Sequence, residues 1–294
     1  MNRRRHTVKR LRGQTSATVV ISFFIGAQLA IAQVYTHPVV EALAGERPAV
    51  SNALLDRLRK VHIENAWSVL MKHGYQHQFA GGFIASQPDV PLVGRAVTLQ
   101  YLPIRPDLEK ALKAIAQKTD HSPVFNVRAA EEAKPGDVIV VQLGGMAMNL
   151  KDTLFMGDVT ATGIRARGAA GVIIDGGTRD WDVLRLWKDF PIYVRGVYVV
   201  GQSVQMGVDW NVPIRIDEVT VLPGDIILGT AEGVIVIPPQ FVEEIVKQNE
   251  VIETREDFER LQMKEGKYRA RDIYPLKPEL EKLFQDWLKT RQRP

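Results

Sequence analysis

At 294 residues, 45% of them hydrophobic, the chain is long enough for one large domain or two small ones with a full core. It contains no cysteine, which excludes disulfides, zinc-thiolate sites and a cysteine nucleophile and leaves only oxygen or imidazole ligands for a metal. The formal charge of +4 is unevenly placed, because Arg3, Arg4, Arg5, Lys9, Arg10 and Arg12 precede the first acidic residue.

Those residues open a leader. A basic start, an apolar run from Ala17 to Ala27 and the small-x-small site Ala30-Ile31-Ala32 predict a signal peptide over 1–32 and an exported protein, periplasmic or secreted. The rival reading is an uncleaved anchor, but the apolar run reaches only about 16 residues where roughly 20 are needed to span a bilayer. Cleavage leaves no stable membrane span. It also removes 6 of the 38 basic residues, leaving 32 against 34 acidic ones and a formal charge of −2. A nucleic-acid partner then has no electrostatic support.

Residues 33–50, with Pro38 and Pro48, read as an irregular linker or arm. Ser51 is the expected N-cap of an amphipathic helix running to Gly74, or of two helices with a break near His62. Residues 91–102 alternate around Ala96, Thr98 and Gln100 like a strand, and a helix with proline at its start follows from Pro106. Asp137–Leu143 is a continuous apolar run, the mark of a strand buried on both faces, and it ends at Gly144-Gly145, where backbone can approach a ligand closely. A helix over 157–168, a buried strand over 170–175 and a short helix over 181–188 come next. Strands are then expected over 192–200, 212–216, 225–229 and 234–237. A charged helix from Pro239 to about Lys264 and a last helix over 276–291 close the chain. Strands mixed with helices in this order predict one layered α/β domain with helical extensions at both ends.

The six histidines match no metal motif, since Gly74 interrupts the helix between His73 and His77. No GxSxG elbow, P-loop or dinucleotide fingerprint is present. What remains is oxygen chemistry. Asp158 and Asp180 stand at opposite ends of a helix-strand unit that folds back on itself, and two carboxylates suit a hard divalent cation that keeps several waters. Arg179 offers a planar fork for a carboxylate or enolate, and Gly144 and Gly145 offer backbone N–H groups to the same anion. Spacing alone favours a plainer reading: Asp158 as a helix-capping acid, and Arg179-Asp180 as a turn with a surface ion pair.

Asp158, twenty residues, then Arg179-Asp180 is a spacing that resembles the site motif of the regulator of ribonuclease activity A-like (RraA-like) family, which includes the class II 4-hydroxy-4-methyl-2-oxoglutarate aldolases. The blocks LVGRAVTLQ (92–100), PGDVIVVQLGG (135–145), ARGAAGVIIDGGTRD (166–180) and VTVLPGDIILGTAEGVIVIP (219–238) resemble it too, so the likeness covers roughly 51–268 and leaves 269–294 as a helical extension. The resemblance implies a layered β/β/α swivelling-domain fold in a homotrimer or homohexamer with sites between subunits. It implies Mg²⁺, Mn²⁺ or another divalent cation held directly by Asp180 and through water by Asp158. Arg179 would bind the pyruvyl oxygens of a small 2-oxo acid, with Gly144, Gly145 and Met146 completing the substrate-binding set. A glutamate from the adjacent subunit's C-terminal helix, Glu256 or Glu253, would complete the metal's outer shell. The implied activity is aldol cleavage to pyruvate through an enolate, with oxaloacetate decarboxylation beside it. The alternative is a non-catalytic exported binding or regulatory oligomer. Val183 and Asp182 depart from the aldolase pattern, which often has its acid where Val183 stands.

Overall fold

The computed structural model describes residues 37–144, 153–199 and 204–291. The leader reading over 1–32, and the substrate-binding expectations at Gly145 and Met146, fall outside them. Among the described residues no helix is long and apolar enough to cross a membrane.

The stretch expected to be an irregular arm instead holds a short helix, α1 (Pro38–Ala42), because Pro38 occupies its first turn, where a missing N–H costs nothing. Ser51 accepts from the Leu54 N–H and caps α2 (Asn52–Leu58), and α3 (Ile63–Lys72) follows after a break at 59–62. Two two-residue strands, β1 (Phe79–Ala80) and β2 (Ile84–Ala85), precede the twelve-residue β3 (Leu92–Pro103). Then come α4 (Pro106–Thr119), α5 (Phe125–Glu132) and β4 (Asp137–Gln142). Beyond them lie α6 (Asp158–Ala166), β5 (Gly171–Thr178), α7 (Trp181–Leu184) and β6 (Ile192–Val197). The strands β7 (Gln205–Trp210), β8 (Ile214–Ile216), β9 (Val219–Val221), β10 (Ile226–Thr230) and β11 (Gly233–Ile237) lead to the long α8 (Val242–Lys264). The chain ends in α9 (Ala270–Ile273) and α10 (Glu281–Arg291).

The sheet runs β1-β11-β10-β3-β4-β5-β6-β2, with β7 paired to the far half of β3. Its centre, β3 to β6, is parallel, and its flanks are antiparallel. Side-chain alternation sends Val97, Ile139, Val141, Val172 and Ile174 to the face covered by α5, α6 and α7. On the same face Val93, Leu228, Ile235 and Ile237 pack under α2, α3 and α8. The opposite face presents Ala96, Val138, Val140, Ile173 and Val236 to the β8–β9 hairpin, which is a separate two-stranded sheet. Helices, sheet and hairpin thus make three layers, the expected α/β architecture. This double cover corrects the reading of residues 91–102 as an alternating strand, because Leu92, Val93, Ala96, Val97 and Leu99 are all buried. The C-terminal half of α8 has its own small core, in which Phe258 packs against Ile273 and Phe284 of the helical extension.

A buried ion pair ties the hairpin to the sheet. The Arg195 side chain is 2% exposed, donates through Nε to Asp175 Oδ1 at 2.7 Å and through Nη1 to the Gly81 carbonyl, and its guanidinium carbon lies 3.7 Å from the centre of the Phe83 ring. Asp175 Oδ2 in turn accepts from the Asp217 N–H in the β8–β9 turn.

Candidate functional site

The site lies at the carboxyl ends of β4 and β5, where an open parallel sheet places its ligands. Segment 153–155 runs alongside the end of β5: Gly177 N–H donates to the Thr153 carbonyl at 2.8 Å and Phe155 N–H to the Gly177 carbonyl at 3.1 Å. The pairing continues as Thr178 Oγ1 donates to the Met156 carbonyl at 2.9 Å and Arg179 N–H to the same oxygen at 3.2 Å. Met156-Gly157-Asp158 is therefore fixed beside Thr178-Arg179-Asp180, although the two tripeptides lie twenty-two residues apart in the chain.

Asp180 Oδ2 accepts from the Asp158 N–H at 3.1 Å and stands 3.4 Å from Arg179 Nε. Asp180 thus caps the first turn of α6 from across the site, where a carboxylate is favoured by the exposed N–H groups and the helix dipole. Asp158 is the first helical residue and Gly157 the N-cap. The plainer reading, with Asp158 itself as the cap, is corrected by this exchange of roles. Asp180 also adopts a left-handed backbone, φ 57° and ψ 34°, that non-glycine residues occupy rarely and at a cost. The Arg179 and Asp180 side chains are 46% and 37% exposed, so the charged groups are supported from below and open to a ligand.

Gly157 makes this packing possible. A Cβ there would lie 2.3 Å from Asp180 Oδ2 and 2.8 Å from Arg179 Nε. Beside the trio opens a cleft of about 190 Å³, with Arg179, Asn126, Phe155, Val159 and Thr160 in its lining. Asn126 reaches it from α5, donating to the Phe155 carbonyl at 3.0 Å. Neither Gly157 nor Asn126 was expected from the sequence, since their places depend on a long-range contact.

The structure sets the backbone of Asp158 beside the side chains of Arg179 and Asp180. Gly144, two residues beyond β4, is exposed, with φ 134°. Glu253 and Glu256 lie on α8 with Arg260, which binds them at 3.0 and 2.9 Å and Asp257 at 3.0 Å. Neither glutamate is a partner of the trio within the chain. His62, His73 and His121 pair with glutamates elsewhere. Among the described residues no group of three or more acidic or histidine side chains forms a metal cage.

The family model described as RraA-like, Aldolase/RraA, matches residues 49–236, from just before α2 into β11. Among curated proteins, the chain is 36% identical over 125 residues to a Halalkalibacterium halodurans protein named "Putative 4-hydroxy-4-methyl-2-oxoglutarate aldolase", covering 42% of this chain and 56% of that one. It is 29% identical over 182 residues to protein DlpA of Legionella pneumophila, covering 60% of this chain and 27% of that one. The chain therefore spans about half the length, or less, of these curated relatives. Among solved structures, RraAS2 of Streptomyces coelicolor, described as an unusual member of the RNase ES inhibitor RraA protein family, matches with a TM-score of 0.61 and 29% identity, over 73% of this chain and 100% of that one.

Proposed function

Because this chain belongs to the RraA-like Aldolase/RraA family, we propose that it is a divalent-metal-dependent lyase that cleaves a 4-hydroxy-2-oxo acid, of the 4-hydroxy-4-methyl-2-oxoglutarate type, to pyruvate. The observation that carries the reading is that Asp180 Oδ2 meets the backbone N–H of Asp158 and lies beside Arg179 Nε, at the edge of an open cleft that Arg179 lines. The donor set fits the cation the family implies. It consists of carboxylate oxygens only, few in number and partly exposed, which suits Mg²⁺ or Mn²⁺ held by one or two carboxylates and several waters. Asp180 would hold it directly and Asp158 through water. When bound, the cation supplies Lewis-acid polarisation of the 2-oxo group.

The chain's own residues do the rest. Arg179 orients the 2-oxo acid by pairing its planar fork with the pyruvyl oxygens. The C4 hydroxyl gives up its proton, the C3–C4 bond breaks, and C4 leaves as a carbonyl while the electron pair stays on C3 as the enolate of pyruvate. Arg179 faces the negative charge as it develops, which is where a preorganised cation lowers the barrier. A water beside Asp158 takes the hydroxyl proton and C3 regains one, with no histidine needed. We further propose a homotrimer or homohexamer in which Glu256, or Glu253, completes the neighbouring site, and export of the chain from the cell.

The test is pyruvate release from 4-hydroxy-2-oxo acids and from oxaloacetate, with Mg²⁺ and with EDTA. EDTA should abolish it, and Asp180→Ala should abolish it while the protein stays folded; wild-type turnover in that variant sinks the assignment. The likeness to RraAS2, described as belonging to an inhibitor family, supports a second reading, a binding or regulatory oligomer. A folded assembly that binds partners and releases no pyruvate would favour it.

A further inference from the structure

A second cavity, of about 140 Å³, lies away from the site just described, and what it implies does not depend on the lyase reading. Its place follows from the sheet. The Asp225 carbonyl accepts from the Ala96 N–H at 2.8 Å, and Ala96 pairs with Val138 near the amino end of β4, the strand whose carboxyl end borders the site. Four separate segments wall the cavity: residues 43–47 after α1, 75–78 after α3, 220–225 around the end of β9, and 238–240 between β11 and α8.

Its polar lining is rich in acceptors. Among the described residues five buried side-chain nitrogen or oxygen atoms have no hydrogen-bond partner, and three of them belong to this lining: Gln78 Oε1, Gln240 Oε1 and Asp225 Oδ1. Buried polar atoms in native proteins are nearly always paired, so three orphaned acceptors around one cavity call for a donor. Neither amide oxygen is held by a hydrogen bond, so each can turn about its last side-chain bond toward one.

Charge selects the same kind of ligand. The charged side chains in the lining, among the described residues, are Arg47, Asp225 and Glu46. Arg47 is already engaged, donating to the Pro223 carbonyl at 3.0 Å and pairing with Asp225 Oδ1 at 2.9 Å. With those two charges cancelling, the exposed carboxylate of Glu46 leaves one negative charge in excess. A primary ammonium has three N–H donors, no acceptor and one positive charge.

We propose that this cavity binds a small primary alkylammonium ion, its nitrogen among the oxygens of Gln78, Gln240 and Asp225 and its methylene stem against Leu43, Leu222 and the Tyr75 ring. The cavity is about ten times what one water needs, which leaves room for a stem of several carbons. Because Leu43, Glu46 and Arg47 come from the arm and the remaining wall from the body of the domain, an occupant fastens one to the other.

The test is calorimetric titration of the full chain with propylammonium chloride in an amine-free buffer. Tetramethylammonium chloride, with the same charge and no N–H donor, and sodium propionate are the controls. Propylammonium should bind with a Kd on the order of 1 mM, within the bound for a ligand of so few atoms, and neither control should bind. Gln78→Met and Gln240→Met keep the side chain's shape and remove the orphaned oxygen. Each should weaken propylammonium by about tenfold while leaving the melting temperature without amine unchanged or higher, since no hydrogen bond to that oxygen is lost. Equal binding of tetramethylammonium overturns the proposal, because charge alone would then suffice. Binding of propionate, or of none of the three, overturns it as well, the cavity then holding an anion or only water. Wild-type propylammonium affinity in both variants would put the amine elsewhere, and a lowered melting temperature would show that the oxygens are paired in the folded protein; either result sinks the site.

Discussion

Replacing Gly157 by alanine should separate the site from the fold. Gly157 has φ −123° and ψ −169°, an extended conformation open to any residue, so alanine meets no backbone penalty there. What it meets is Asp180 Oδ2 at 2.3 Å, Arg179 Nε at 2.8 Å and Arg179 Cγ at 3.3 Å. Unstrained contact begins near 3.5 Å, so the carboxylate must withdraw by about 1 Å, which breaks its 3.1 Å bond from the Asp158 N–H. Both displaced side chains are partly exposed and can swing into water, so the stability cost is that of one cap hydrogen bond, about 1 kcal/mol. A misplacement of about 1 Å at reacting groups, in contrast, costs on the order of 100-fold in rate. The assay is pyruvate release at saturating Mg²⁺ alongside a thermal melt, with Gly45→Ala as the control because a Cβ at Gly45 meets nothing within 4 Å. The expected result is a melting temperature lowered by a few degrees and kcat/KM lowered by about 100-fold. Wild-type kcat/KM in Gly157→Ala would refute the claim that the close approach of Gly157 to Asp180 sets the site's geometry.

Arg195→Met should leave Asp175, whose side chain is 5% exposed, buried without its ion partner. A loss of ~3–5 kcal/mol in denaturant unfolding is expected, with partial recovery in the Arg195→Met, Asp175→Asn pair; a loss under ~1 kcal/mol would contradict the buried pair. Burial of Asp225 pushes its carboxyl up to about 6, against the opposing pull of Arg47, from an ordinary 3.8. The folded state then holds this proton more tightly than the unfolded chain, so the group is most favourable below the ordinary value and its contribution worsens as pH rises to about 6, by up to ~3 kcal/mol. Melts from pH 4 to 7 should show the wild type losing ground to Asp225→Asn across that window, and parallel curves would refute it. Phe284→Ala, at a position 4% exposed whose ring lies 5.5 Å from Phe258, should cost ~3–5 kcal/mol locally. Hydrogen exchange is expected to speed up in α9 and α10 while β4 and β5 stay protected; uniform loss of protection would show that the extension is not a separate unit.

Much of this organisation is legible in the residues themselves. The unbroken apolar run at 137–143 gives a strand buried on both faces, and the Ser51 cap and the break near His62 appear where local chemistry puts them. Local pattern fails where cover comes from afar. Residues 91–102 look half-buried until helices close one face and the β8–β9 hairpin the other. β7 goes unread because QMGVDW is half polar, and it pairs only through the far half of β3. Pro38 and Pro48 suggest a linker, yet Arg47 between them forms a 2.9 Å ion pair with buried Asp225. In the site, the spacing of Asp158 and Arg179-Asp180 carries the convergence. The exchange by which Asp180 caps the helix that Asp158 begins does not show, because it depends on segment 153–155 lying along β5. Gly157 looks like any glycine until that carboxylate arrives.

The order of the sheet also sets the order of assembly on the ribosome. The near half of β3 pairs with β10, Arg95 with Ile226 and Leu92 with Gly229, so the edge of a strand made early stays open until a much later segment emerges. At ~5–20 residues per second, that delay is on the order of ten seconds. During it the nascent chain can build the parallel centre but exposes one unpaired edge, the kind of surface that chaperones and stray strands compete for. A fragment ending before β10 would keep that edge permanently, so truncations within 37–225 should aggregate however stable their helices are.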